Sequence, residues 1–173
     1  LSTLVDLAVR EQSPADLVPL LRHLPEVATP VAQRVIEETL RRGTSPARRW
    51  RLLNLLAVLP QHVAVSALRQ LAARAPDASM REVAAERLLA AGAAEAALPA
   101  LASLAQSAAH PEVRRRAMYR LQQAGSVELL RAVAAQSPYA DARELATHLL
   151  RELGADAPGL SWRERFEQWV ARL

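Results

Sequence analysis

The chain has 173 residues, 51% of them hydrophobic, with no Cys, 5 Gly and only 3% aromatics, and its 36 Ala and 29 Leu together exceed a third of the total. A chain of this length falls in the range of one domain and buries about 68 to 70% of its unfolded surface. Its composition excludes a disulfide scaffold, a collagen-like fibre and a Val/Ile-rich sheet protein, and leaves an all-α, Ala/Leu-based fold. The formal charge of +4 arises from 22 basic residues, every one an arginine, against 18 acids, without a basic or acidic tail.

Eleven helices are predicted in chain order, at 2–11, 14–24, 30–42, 46–59, 62–75, 80–91, 94–107, 111–124, 127–136, 139–153 and 162–173. The starts are read from Ser13-Pro14, Thr29-Pro30, Ser45-Pro46, His110-Pro111 and Ser137-Pro138, where a residue at the cap position precedes a proline whose missing N–H costs nothing in the first turn. Ser79 with Glu82, and Ser161 with Glu164, fit the capping box. Gly43, Gly92, Gly125 and Gly154 mark stops, because glycine accepts the left-handed conformation that follows many helices. No strand pattern competes, and the short connections force antiparallel helical hairpins.

The chain repeats itself. Arg81, Ala84, Leu88 and Gly92 have the spacing Arg-x-x-Ala-x-x-x-Leu-x-x-x-Gly, and so do Arg114, Ala117, Leu121 and Gly125, and Arg143, Ala146, Leu150 and Gly154. Arg49, Leu52, Leu56 and Pro60 keep the spacing with Leu for Ala and Pro for Gly. Positions i, i+3 and i+7 share one helix face, the small Ala permits close approach, and Gly ends the first helix so that the second folds back.

At these residues the chain resembles the bacterial short HEAT-like repeats, also called PBS-lyase HEAT-like repeats. Ala97 to Leu104 looks like that family's second, or B, helix, and Leu17 to Leu24 is similar. The resemblance covers residues 45–154 well. It implies one domain over 1–173, an α-solenoid of antiparallel helical hairpins (a HEAT-like or ARM-like superhelix), with the A helices on one surface and the B helices on the other. Residues 1–44 form irregular N-terminal helices in this reading. The family pattern also implies an Asp four residues before the repeated Arg, linking neighbouring repeats; Asp77 fits before Arg81, whereas Ser45, His110 and Tyr139 stand at the other positions.

Enzyme chemistry finds little support. His23, His62, His110 and His148 have no partners at metal-ligand spacing, and neither a GxGxxG, a phosphate loop nor a Gly-x-Ser-x-Gly elbow is present. No catalytic residue, metal or cofactor is therefore expected. The informative feature is a segment from Thr39 to Pro76 without one acid, in which Arg41, Arg42, Arg48, Arg49, Arg51, Arg69 and Arg74 supply positive charge. Arg48 and Arg49 lie in a first helical turn, where the macrodipole opposes them. Two readings stay open for Arg41, Arg42, Arg48, Arg49 and Arg51: pairing with acids from another repeat, such as Glu37, Glu38 or Asp77, or an anion-facing patch. Trp50 between them is either core or a ring for stacking on a base. In the last helix Trp162, Phe166 and Trp169 share a face, as a cap over the preceding helix or as a docking site.

The longest uncharged runs fall short of a membrane span. The N-terminus carries neither a charged nor an apolar leader region, so cytoplasm is the expected compartment, and a start at Leu1 is expected of a piece of a longer protein. The expected function is a non-enzymatic scaffold that binds a protein partner. Its family-implied surface is the B helices, at Leu68 to Arg74, Leu98 to Ser103 and Val127 to Arg131. The alternative is sequence-nonspecific binding of nucleic acid or another polyanion through the Arg-rich 39–76 segment.

Overall fold

The structure, a computed structural model, describes residues 18–19, 23, 25–41 and 45–155. A 3-10 turn at Pro25–Val27 leads into α1 (Ala28–Leu40), followed by α2 (Pro46–Leu55) with a 3-10 turn at Leu56–Val58, and by α3 (Gln61–Arg74). Then come α4 (Ala78–Ala90), α5 (Ala94–Ser107), α6 (Pro111–Gln123), α7 (Val127–Gln136) and α8 (Ala140–Glu152). The described residues contain no strand, and none of their helices is long and apolar enough to cross a membrane. The predicted helices at 2–11 and 162–173, with Trp162, Phe166 and Trp169, lie outside the described residues.

Each helix packs chiefly on the next helix and the next but one, so that α2, α4, α6 and α8 form one layer and α1, α3, α5 and α7 another. Helix α1, which the Gly43 signal makes look like a first helix of a hairpin, lies with α3 in the second layer. The core runs continuously between the layers. Ala84, Ala117 and Ala146 have no exposed surface, and Leu52, Leu56, Leu88 and Leu121 are sealed in beside them, which is why this spacing recurs.

The Leu-to-Gly spacing has its own cause. Gly92, Gly125 and Gly154 have φ of +76°, +64° and +65°. This bend lets the amides of Ala93, Ser126 and Ala155 donate to the carbonyls of Leu88, Leu121 and Leu150, closing each helix with a Schellman turn. At the first copy Pro60 cannot make that turn, so α2 tightens into the 3-10 segment before it.

Helix starts depart from the sequence reading in three places, one of them α8, which begins at Ala140 after Tyr139 and leaves Ser137 and Pro138 in the preceding loop. Helix α4 begins at Ala78, because the Asp77 carboxylate accepts the Ser79 amide at 3.0 Å and is itself the cap. Glu82 therefore does not close a box with Ser79; it is buried and engaged elsewhere. Helix α1 starts before Thr29 and has no side-chain cap, since the preceding 3-10 turn already feeds the chain into it. Ser45 does cap α2, accepting the Arg48 amide at 3.3 Å.

Candidate functional site

Arginines hold the first layer together. Arg87 on α4 donates to the Leu53 carbonyl at 2.7 Å and to Asn54 Oδ1 at 2.5 Å on α2. Arg120 on α6 donates through Nε and Nη2 to Glu86 on α4, at 3.0 and 2.9 Å. These two links join equivalent positions, the fifth residue after one repeated Arg and the sixth after the next. Arg116 forks onto Glu82 at 2.6 and 2.7 Å, and this hydrogen bond holds its guanidinium above the ordinary arginine range. Gln122 donates to Glu152 on α8 at 2.6 Å.

The repeated Arg itself reaches backward. Arg114 donates to the carbonyls of Ala108 and Ala109, at 2.7 and 3.1 Å, and to Asp141 at 2.6 Å, with its guanidinium 3.8 Å from the centre of the Tyr139 ring. Arg143 repeats the first contact on the Ser137 carbonyl at 2.8 Å. Such a guanidinium satisfies the loop carbonyls ahead of its own helix, groups that would otherwise be buried unpaired. The family pattern places an Asp four residues before each Arg. Here Asp77 caps its own helix, and Glu82, Glu86 and Asp141 carry the links between repeats instead.

Two of the five arginines of the candidate anion patch, Arg41 and Arg48, are paired with a carboxylate. Arg41 and Arg48 lie 3.3 and 3.6 Å from the carboxylate of Glu38, which Arg34 approaches at 3.9 Å. Glu38 is 8% exposed, so guanidinium groups stabilise a charge that has lost most of its water. Arg49 is half-buried, with its Nε sealed from solvent and without an acceptor. Arg51 is exposed and has no acid partner among the described residues. Arg42 lies outside them. Trp50 is 40% exposed and so is not a core residue.

The outer face of the second layer has a different character. Its exposed residues recur at intervals of 33 residues: Thr29, His62, Glu95 and Glu128 in one series, and Glu37, Gln70, Ser103 and Gln136 in another. Arg69 bridges α3 to Glu95 on α5 at 3.0 Å, and Arg131 pairs with Glu128 at 2.6 Å. Within the family-implied surface, Arg69, Gln70, Ala73, Arg74, Pro99, Ser103 and Glu128 are exposed, whereas Leu68, Leu101, Ala102 and Leu130 are core. The face mixes both charges with amides, hydroxyls and small side chains.

Among the described residues no three His, Asp or Glu side chains are placed to hold a metal ion. Compared with protein-family models, curated proteins and solved structures, the chain matches none of them.

Proposed function

We propose that the chain is a non-enzymatic protein-interaction module, a HEAT-like α-solenoid whose second-layer face receives a protein partner. The solenoid reading rests on the alternation of two layers and on the recurrence of the Arg-Ala-Leu-Gly spacing at α4, α6 and α8. In this respect it resembles the bacterial short HEAT-like repeats.

The observation that carries the functional reading is the mixed polarity of the face formed by α1, α3, α5 and α7. A polyanion groove needs a continuous run of unpaired cations. Here Arg41 and Arg69 are each matched by a carboxylate, and Glu37, Glu95 and Glu128 are interspersed. Such a face, with small side chains between its charges, suits the rim and core of a protein interface.

Photo-crosslinking amino acids placed at Ser66 and Ser103 on this face, and at Arg115 on the opposite layer, test the reading in cells. Discrete protein adducts are expected from the first two positions and not from the third. Adducts from Arg115 alone, or capture of nucleic acid in place of protein, overturn it.

A further inference from the structure

The ends of α2 and α4 and the start of α3 enclose a groove of about 370 Å3, walled by Leu56, Leu59, Ala64, Leu68 and Ala90. One charged residue lines it, Arg87. Gln61 donates to the Ala91 carbonyl at 3.0 Å and ties the two hairpin turns together at its margin.

Arg87 meets this groove without a counter-ion among the described residues. Its guanidinium is half-buried and donates to neutral acceptors, the Leu53 carbonyl and the Asn54 amide oxygen. Among the described residues no carboxylate lies within ion-pair distance of it. Burial without a counter-ion pushes its pKa down from the ordinary arginine value.

The next repeat shows what is missing. There the corresponding surface, between α4 and α6, is lined by both Glu86 and Arg120, which neutralise each other at 2.9 Å. Asn54 stands where Glu86 stands, one repeat earlier. The fold thus offers the same donor at both steps but supplies its acid at one. A partly desolvated cation beside apolar walls gains most from an anion that brings its own apolar body.

We propose that this groove binds a short segment of a partner protein in which an apolar side chain adjoins a carboxylate. The apolar side chain seats on Ala64 and Ala90 over the edges of Leu59 and Leu68, and the carboxylate pairs with Arg87, whose side chain lines the groove. The groove is open along one side, whereas a small-molecule site usually encloses most of its ligand, so a peptide is the better occupant. Arg51 lies one helical turn before Asn54 on the same face, exposed and without an acid partner among the described residues, and adds to the attraction for an acidic segment. This site shares α3 with the second layer but none of the exposed residues of its outer face, and it goes beyond the function proposed for that face.

Amide NMR spectra of the full chain, titrated with a short end-capped peptide alternating leucine and aspartate, test the proposal. Shifts are expected at Gln61, Ala64, Leu68, Ala90 and Ala91, with affinity about tenfold weaker for the analogue carrying asparagine in place of aspartate. Asn54→Glu supplies the missing acid internally and should weaken the aspartate peptide about tenfold without lowering Tm. Arg87→Met should do the same to binding; because it also loses the Leu53 contact, the Asn54 variant is the one that decides. Equal binding of both peptides, undiminished binding by Asn54→Glu, or binding of octanoate but not of the peptide overturns the proposal. Shifts confined to α5 and α7 overturn it while leaving the second-layer face standing. Failed cross-linking at Ser66 and Ser103 would spare the groove in the same way.

Discussion

Arg116 and Glu82 form a lopsided pair: two hydrogen bonds of 2.6 and 2.7 Å join an arginine side chain 50% exposed to a glutamate side chain 4% exposed. The two partners therefore stand to lose different amounts. Without Arg116, the Glu82 carboxylate stays buried and loses its counter-charge; without the Glu82 charge, Arg116 turns to water. Arg116→Gln should destabilise the chain by about 1 to 3 kcal/mol, and Glu82→Gln by clearly less, in urea unfolding at neutral pH. Equal losses would show that Glu82 is better solvated than the packing of α4 on α6 indicates.

The repeat core makes a second prediction. Ala117 has no exposed surface where α6 meets its neighbours, so the extra carbons of Ala117→Leu have no space to enter. Overpacking should cost about 1 to 3 kcal/mol, read as a lower urea midpoint. An unchanged midpoint would mean that the small residue is not there to allow close approach, and would remove the physical reason for the shared Ala84, Ala117 and Ala146 register.

Those three alanines were legible in the sequence because a short period, a small residue and a glycine stop each follow from one local rule. Gly92, Gly125 and Gly154 needed no tertiary information, since the Schellman turn is closed by the helix itself. The polar links were not legible in the same way. Glu82 read as a cap partner for Ser79, because a helix start is a local matter while Arg116, 34 residues on, is not. A signal did exist: Asn54 with Arg87 and Glu86 with Arg120 occupy the same offsets in successive repeats. It emerges when repeats are stacked rather than read one at a time. The Arg48 and Arg49 turn was ambiguous because the acid that answers Arg48 is Glu38, across a chain reversal. For Trp50 the core reading fails, since apolarity alone does not say which side of α2 faces the core and the ring is exposed.

Asp141 carries a pH dependence whose sign is set by Arg114. The hydrogen bond from Arg114 at 2.6 Å holds the Asp141 carboxyl below its ordinary value near 3.8. A carboxyl depressed in the folded state contributes stability that is present above the unfolded pKa and is lost as pH falls through the folded one. The Tm difference between the native chain and Asp141→Asn should be full at neutral pH, shrink as pH drops below about 4, and vanish once both forms carry a neutral side chain. A difference that grows on acidification would reverse the sign and refute the pairing.

The exposed arginines of the 39–76 segment decide between protein and polyanion. Arg41 and Arg48 are committed to Glu38 and Arg69 to Glu95, which leaves Arg51 and Arg74 exposed and without acid partners among the described residues. The two free cations among the described residues release few counterions from duplex DNA, so log affinity against log salt should have a slope of about −2, close to −0.9 per phosphate neutralised. Binding of a short duplex should accordingly be weak at low salt and undetectable near 0.15 M, where the Debye length is about 8 Å and distant arginines no longer help. Arg51→Glu with Arg74→Glu is the suitable reversal, because both side chains are exposed and the fold does not depend on them. Arg49 would be a poor choice, since it is half-buried with its Nε sealed from solvent. Micromolar affinity at about 0.15 M salt, a slope several-fold steeper, and loss of both in the double reversal would together mean that the pairs on Glu38 and Glu95 open to receive phosphates. In that case the Arg-rich segment, and not the mixed second-layer face, would be the working surface of this chain.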